Sequence, residues 1–208
     1  MEFRKRIEED YGDKRQSDSE RPLVKVDGSK AGDTAVTYDK GGWAFWMLVD
    51  LMGRDAAFAG LHDFVSTYKD GPDFPVIQDF LAVMRRHAPD PSAFDAFTKQ
   101  WFYEVVVPEY RITKASRTKT PSGWEVRARV RSDGTGTMPV EVAAAKGERM
   151  DEKGGAVEDY RDARQVLTLG PGQEKAVVIE CPFEPDRVLV DPDVRILQLK
   201  RNKAVRRF

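Results

Sequence analysis

The stretch TYDKGGWAFWML, residues 37–48, places Tyr38 between charged neighbours and just before the most apolar run of the chain. The phenol of tyrosine is neutral at pH 7 and donates a hydrogen bond, so it could stabilise an oxyanion that develops during a reaction. The same ring could instead pack at the entrance of a helix. The residue types alone leave both interpretations open.

Two histidines, His62 and His87, are the imidazole candidates for metal binding. A zinc peptidase site of the His-Glu-x-x-His type needs two histidines one helical turn apart, and neither histidine has such a partner. His62 lies next to the apolar face of a predicted helix, and His87 lies at a helix C-terminus, where its ring favours the dipole. We therefore predict structural roles for both, and no metal ligand in this chain.

The candidate nucleophiles do not form a recognisable set either. Cys181 lies in an apparent strand, where cysteine usually behaves as a small apolar residue, and a single cysteine excludes an internal disulfide or a multi-thiolate zinc site. Ser66 and Ser92 lie on helical patterns without a base nearby in the sequence. Residues 134–136, Gly-Thr-Gly, lie between strands and predict a turn rather than a phosphate loop. The sequence thus shows no complete active site.

Composition and charge indicate a folded globular chain. The 208 residues are 40% hydrophobic and 33% charged, with a formal net charge of −1, which argues against nucleic acid as a main partner. The longest apolar run is about ten residues, half of what a membrane-spanning helix needs. The basic tail KRNKAVRRF predicts a solvated terminus, with membrane or nucleic-acid contact as the alternative.

The region that follows Gly41 has helical periodicity. Residues 43–52 are apolar on nearly all sides, and Gly53 follows where a left-handed residue ends a helix. A second helix has its apolar face at Phe58, Leu61, Val65 and Tyr68. A third helix repeats this spacing at Ile77, Phe80, Leu81 and Met84. A fourth helix begins with Asp90 as its N-cap and Pro91 at its first position, and has Phe94, Phe97 and Trp101 on its apolar face.

Beyond Pro108 the period changes to that of strands. WEVRARVR, residues 124–131, alternates apolar and charged residues, as a half-buried strand does. Further short strands are predicted at MPVEVAAA, ARQVLTL, KAVVIE, DRVLV and RILQL. The fold class is therefore α+β, a small helical subdomain followed by an antiparallel β-sandwich. We predict a polar, partly ordered lead-in at 1–36, in which PLVKV could pair as a strand, a helical subdomain at 37–108 and the sandwich at 109–208.

This order of motifs resembles the C-terminal portion of the aminopeptidase N family of zinc metallopeptidases. The family has a Tyr-x-Lys-Gly element opening a buried helix, a Leu-Gly-x-x-x-Phe segment, and an aromatic-rich helix followed by proline. The matching positions here are Tyr38, Lys40, Gly41, Leu51-Met52-Gly53, Phe58, Trp101 and Pro108. The likeness covers roughly residues 34–200, including the β-rich part.

The departures limit what the resemblance implies. The family's His-Glu-x-x-His motif, its glutamate ligand and its Gly-x-Met-x-Asn segment lie upstream of the tyrosine and do not occur in residues 1–36. The resemblance therefore implies a fragment of a longer enzyme, the parent, in which Tyr38 is the catalytic oxyanion donor, and Gly41 and Gly42 let the helix start approach the site. Zinc, the zinc-bearing catalytic domain and a peptide substrate would belong to that parent. The fragment alone is expected to be inactive.

Two further expectations follow. If no zinc motif precedes this sequence, a non-catalytic interaction module of helices and sandwich is the alternative. In the parent, part of the helix at 43–52 would pack on the zinc-bearing domain, so its bare surface predicts self-association. Some bacterial relatives carry the region behind membrane-spanning segments, which would place it outside the cytoplasm, but the residues leave localisation open.

Overall fold

The computed structural model describes residues 2–71, 74–150 and 155–208. The helices are α1 (Glu2–Lys14), α2 (Gly41–Met52), α3 (Arg54–Tyr68), α4 (Ile77–His87) and α5 (Pro91–Phe102). The strands are β1 (Tyr110–Thr120), β2 (Gly123–Ser132), β3 (Met138–Lys146), β4 (Arg161–Leu169), β5 (Glu174–Cys181), β6 (Arg187–Val190) and β7 (Val205–Arg207). Helices precede two antiparallel sheets, so the α+β prediction is confirmed.

The chain divides into two compact units. The helical unit is Asp10–Val106, and the β unit is Val107–Phe208 together with Met1–Glu9. The predicted lead-in at 1–36 is therefore not a segment of its own. Tyr11 and Leu23 are buried, and much of the segment is helical. The segment contains few large apolar residues, but these two lie in the interior. Several of its charged side chains form ion pairs with one another.

The helical unit has α2 at its core. Trp43, Leu48 and Met52 are buried along it. Gly53 ends it at φ 77° and ψ 151°, a positive φ that favours glycine, but not the left-handed helical conformation that we predicted. On the other side of α2, Phe45 and Trp46 are half-buried and Leu51 is 42% exposed, so self-association through the helical unit stays a prediction.

The apolar face predicted for α3 packs only in part, because Leu61 and Tyr68 are half-buried. The buried residues of this helix are Ala57 and Gly60. A Cβ at position 60 would lie 2.7 Å from Met84 Sδ, so the absence of a side chain lets α3 approach α4 closely. Phe58 and Val65 are exposed as a consequence.

Helices α4 and α5 follow the sequence pattern. Leu81 and Met84 are buried on α4. Asp90 caps α5, because its Oδ1 accepts hydrogen bonds from the backbone N–H groups of Ser92 (2.9 Å) and Ala93 (3.0 Å). The predicted start of α5 is confirmed.

The β unit contains a three-stranded sheet, in the order β1-β2-β5, and a four-stranded sheet, in the order β4-β3-β6-β7. Strand β2 alternates as predicted, with Val126, Ala128 and Val130 buried. On the neighbouring strand β5, Ile179 lies opposite Val126 and is also buried. On β3 the consecutive residues Ala143, Ala144 and Ala145 are all buried. Successive side chains of a strand point to opposite faces, so burial of all three means that both faces of β3 are covered here. The small size of alanine allows this.

Two predicted strands are not formed. PLVKV contains a single helical turn at Leu23–Lys25, with Lys25 N donating to Pro22 O. RILQL forms only an isolated bridge at Leu199. Its backbone N–H groups bond elsewhere, because the Asp191 carboxylate accepts from Arg195 and Ile196 and the Glu8 carboxylate accepts from Gln198. Side-chain acceptors here replace a neighbouring strand.

The basic tail is not a simple solvated terminus. Residues Val205–Arg207 pair with β6, and Arg201 lies largely buried between the carboxylates of Glu8 (2.7 Å) and Asp191 (3.0 Å). Lys200 and Lys203 both pair with Glu109. These carboxylates neutralise much of the positive charge of the tail, for which the sequence indicated no partner. Among the described helices, none is long and apolar enough to cross a membrane.

Gln198 provides a test of the β-unit core. Its side chain is fully buried, and neither amide atom has a hydrogen-bond partner within the described residues. Because an unsatisfied buried amide costs about 1–3 kcal/mol, we expect Gln198→Met to raise the free energy of unfolding by about 1 kcal/mol. Urea denaturation of the full chain measures this difference. The exposed Gln165, changed to methionine as a control, should alter stability by less than about 0.5 kcal/mol, and a loss of stability in Gln198→Met would contradict the assignment.

Candidate functional site

Tyr38 lies on a wide helical turn, Ala35–Lys40, that leads into α2. The N–H of Gly41 donates to Val36 O, five residues back, which is the π-helical bond. Such turns are often found at functional positions because they change the direction of the side chains that they carry. Here Val36 and Lys40 point into the helical unit, whereas Tyr38 is 75% exposed.

The exposure of Tyr38 decides against the packing interpretation within this unit. Its hydroxyl has no hydrogen-bond partner within the described parts of the chain. A Cβ built at Gly42 would meet nothing within 4 Å, so the surface at the start of α2 is open there. The close approach that the resemblance implies for Gly41 and Gly42 stays a prediction about the parent.

Lys40, two residues after Tyr38, is held inside by a carboxylate. Its side chain is 1% exposed, and its Nζ lies 2.6 Å from Glu20 Oε1, whose own side chain is fully buried. The ammonium also lies 5.7 Å from the centre of the Tyr11 ring. The contact joins the turn that carries Tyr38 to a segment about twenty positions earlier in the chain.

Glu20 receives two further donors. The Tyr11 hydroxyl donates to Oε1 over 2.7 Å, and Arg15 Nε donates to Oε2 over 2.6 Å. The Arg15 guanidinium lies over the Tyr11 ring, 5.6 Å from its centre. Both carboxylate oxygens are thus satisfied, which is the condition under which a buried ion pair is tolerated.

Burial and pairing act in opposite directions on these groups. Burial tends to raise the pKa of Glu20, but the attraction of Lys40 and the hydrogen bonds from Lys40, Tyr11 and Arg15 outweigh it and lower the pKa. For Lys40, burial dominates and lowers the pKa, with Glu20 opposing. Burial also raises the pKa of Tyr11, and the adjacent charge of Glu20 adds to this shift. The carboxylate is therefore the most firmly ionised member of the cluster.

Asp39 lies between Tyr38 and Lys40 in a different electrostatic setting. It is half-buried, and burial is the main cause that raises its pKa. Lys14 opposes this shift and Asp10 adds to it, and Lys14 Nζ itself lies 2.7 Å from Asp10 Oδ1. On the same turn, Asp39 is therefore only half-buried, whereas Lys40 is fully buried.

The two histidines lie where no ligand set surrounds them. His62 is exposed on α3, and His87 Nε2 lies 2.9 Å from Asp63 Oδ2 at the end of α4. Arg86 shares the same Asp63 oxygen. Among the described residues, no group of three or more His, Cys, Asp or Glu side chains could hold a metal ion. Neither histidine therefore belongs to a metal-ligand group among these residues.

The other candidate nucleophiles are not placed for catalysis. Cys181 is buried at the end of β5, its Sγ lies 3.3 Å from Phe183 O, and burial raises its pKa. Ser66 is exposed on α3 and Ser92 is exposed in the first turn of α5. At Gly134 a Cβ would clash with the backbone N of Glu109, so only glycine allows this close backbone approach beside a turn.

Tyr38 and Lys40 belong to a recognisable sequence motif, whereas Glu20, Tyr11 and Arg15 do not. The Tyr-x-Lys-Gly motif identifies the lysine but does not indicate which residue pairs with it. Glu20 lies in a polar stretch with no periodicity, so its burial leaves no local signal. An apolar helix immediately after a lysine was the one hint that the lysine needs an internal carboxylate.

No protein-family model matches this sequence, and no significantly similar curated protein is found. The resemblance to the aminopeptidase N family therefore stays a prediction from the sequence motifs given above.

Replacing Lys40 tests the buried pair. Lys40→Met keeps the length of the side chain but leaves Glu20 with two donors instead of three. We expect a loss of about 3 kcal/mol in the free energy of unfolding, because breaking a buried pair leaves a charge uncompensated. Urea denaturation measures it, with Lys14→Met, at an exposed ion pair, as the control that should leave the midpoint unchanged. Equal effects of both changes would contradict the assignment.

The depressed pKa of Glu20 also predicts a pH dependence. Its ionised form stabilises the fold above its ordinary pKa of about 4.5, and this contribution is lost as pH falls through the lower folded value. The difference in unfolding free energy between the wild type and Glu20→Gln should therefore be largest near pH 7 and shrink below about pH 4.5. Glu104→Gln, at an exposed glutamate of the same unit, should show no such trend. A difference that is constant with pH would refute the prediction.

Proposed function

We propose that this chain is the C-terminal portion of an aminopeptidase N-like zinc metallopeptidase, in which Tyr38 donates a hydrogen bond to the oxyanion of the reacting peptide bond. The observation that supports this proposal is the contrast within one motif. Lys40 is buried and bound on Glu20, whereas Tyr38, two positions earlier, offers an unengaged hydroxyl to solvent.

The chemistry that this geometry favours is stabilisation of negative charge. When a nucleophile adds to an amide carbonyl, the oxygen gains charge, and a donor already in place lowers the barrier without reorganisation. A phenol keeps its proton at neutral pH and has few rotatable bonds, so it can serve as such a donor. The three hydrogen bonds on Glu20 would fix the backbone that carries it.

The rest of the reaction would belong to the parent. The zinc-bearing catalytic domain and the peptide substrate are the partners that the proposal requires, and the described residues offer no zinc ligands of their own. The isolated chain should therefore neither bind zinc tightly nor hydrolyse an aminoacyl anilide. Stoichiometric zinc or brisk turnover by the isolated chain would overturn the proposal.

The direct test uses the natural gene product that contains these residues. If it carries the zinc motif upstream, Tyr38→Phe should lower kcat for an aminoacyl anilide by about 10²–10³-fold and change KM little, because the lost bond forms mainly in the transition state. Tyr103→Phe, at another exposed tyrosine of the helical unit, should leave both constants unchanged. An unaltered kcat in Tyr38→Phe would exclude the oxyanion role.

A second function is favoured by a groove on the helical unit. It has a volume of about 580 Å³ and is lined mostly by apolar side chains, among them Leu23, Phe45, Ile77 and Phe102. Such a groove suits a protein-interaction module that binds an apolar segment of a partner. A natural reading frame without a zinc motif upstream would favour this function over the enzymatic one.

A further inference from the structure

The outward face of the sheet β1-β2-β5 carries a group of basic side chains. Arg127 and Arg129 of β2 are exposed on this face, and Lys114 and Ser116 of β1 are exposed beside them. These residues line a shallow groove of about 290 Å³ that continues onto β5 at residues 176–178. Among the described residues that line the groove, three are basic and none is acidic.

The register of the sheet brings the cations of this groove close together. Lys114 lies directly opposite Arg129 on the neighbouring strand, and Ser116 lies opposite Arg127. Arg127 and Arg129 are two positions apart on one strand and therefore share a face. Like charges directly opposite each other destabilise a pair of strands. The fold gains nothing from this concentration of positive charge, whereas a surface that binds an anion requires it.

An adjacent pair of cations on the same face shows how the protein neutralises such a contact. Arg111 lies directly opposite Arg131. The carboxylate of Asp133 pairs with both, at 2.8 Å from Arg111 Nη2 and 2.9 Å from Arg131 Nε. Lys114 forms no ion pair within the part of the chain that the structure describes. The contact between Lys114 and Arg129 therefore lacks the shared carboxylate that the adjacent pair has.

The acidic residues of this face lie at the two ends of the basic group and leave its centre open. At one end Glu125 pairs with Arg127 over 2.7 Å, and Glu180 lies opposite Glu125. At the other end Glu174 pairs with Arg129 over 3.2 Å. A guanidinium has five N–H groups, so each arginine keeps donors that these contacts do not use. The two carboxylates therefore orient the guanidinium groups without filling the groove between them.

We propose that this groove binds a phosphate group through Lys114, Arg127 and Arg129, with the Ser116 hydroxyl as a further donor. A phosphate monoester carries about 1.5 to 2 negative charges at pH 7 and three acceptor oxygens, so it matches three cations better than a single carboxylate does. Arginine suits this ligand because its N–H groups can form two parallel hydrogen bonds to a phosphate. The phosphate can belong to a soluble compound or to a lipid headgroup. The site shares no residue with the proposed function of Tyr38.

Titration of the full chain with inorganic phosphate, followed by two-dimensional NMR of the backbone amides at constant ionic strength, tests the site. Because the groove is open to solvent, we expect weak but saturable binding, with a Kd of about 1 mM and shift changes at residues 114–116 and 127–129. Lys114→Gln should raise the Kd by about tenfold, because it removes the cation that has no carboxylate partner. Lys119→Gln is the control, at an exposed lysine of β1 that does not line the groove, and should leave the Kd unchanged.

Both lysines are exposed, so circular dichroism should show an unchanged fold in either variant. Shift changes that do not saturate, that an equal ionic strength of chloride reproduces, or that the two variants weaken equally would overturn the proposal.

Cosedimentation with vesicles separates the two sources of phosphate. The vesicles are made of phosphatidylcholine with about 20% phosphatidic acid, whose headgroup is a phosphate monoester. Binding that inorganic phosphate competes away and that Lys114→Gln weakens, but Lys119→Gln does not, would assign the site to a lipid headgroup. Saturable binding of inorganic phosphate without binding to the vesicles would assign it to a soluble phosphate compound. Vesicle binding that both variants weaken equally would contradict a lipid site in this groove.

Discussion

The carboxylate of Glu20 binds three donors inside the helical unit, Lys40 Nζ, Tyr11 Oη and Arg15 Nε. A buried charge of this kind is stable only while its partners stay in place, so the cluster fixes the position of residues from three separate stretches of chain. One of those stretches is the turn that precedes α2. Residues two apart on a helical turn face opposite sides. Burying Lys40 on Glu20 therefore directs Tyr38 outward, and the internal ion pair and the exposed phenol are two consequences of one constraint.

The β unit uses the same device at a different place. Arg201 lies between Glu8 and Asp191, and these carboxylates also accept backbone hydrogen bonds from residues 195, 196 and 198. Val194 adopts φ 54° in this segment, a conformation that β-branched residues rarely adopt. The network holds a segment of strand-like composition in an irregular path, because three of its backbone N–H groups donate to carboxylates instead of to a neighbouring strand.

Those two clusters also explain which features could be predicted from the sequence. The start of α5 and the alternation of β2 were predictable, because Asp90 with Pro91 and the Trp124-to-Val130 pattern act over a few residues. The partners of Lys40 and Arg201 were not, since Glu20 and Glu8 lie far away along the chain and carry no periodic signal. The packing face of α3 was predicted only in part, for a related reason. Periodicity identifies the apolar stripe of a helix, whereas packing here followed the small residues Ala57 and Gly60.

The small residues of α3 have a consequence beyond close packing. At Gly60 the helix can approach Met84 only because no Cβ intervenes, and this contact determines which side of α3 is covered. The larger side chains, Phe58 and Val65, are then left on the open side, where burying them requires a surface from outside the unit. The apolar residues of this helix are thus not surplus core residues. On that open side the Arg54 guanidinium lies over the Phe58 ring, 5.3 Å from its centre, and shields part of it from solvent.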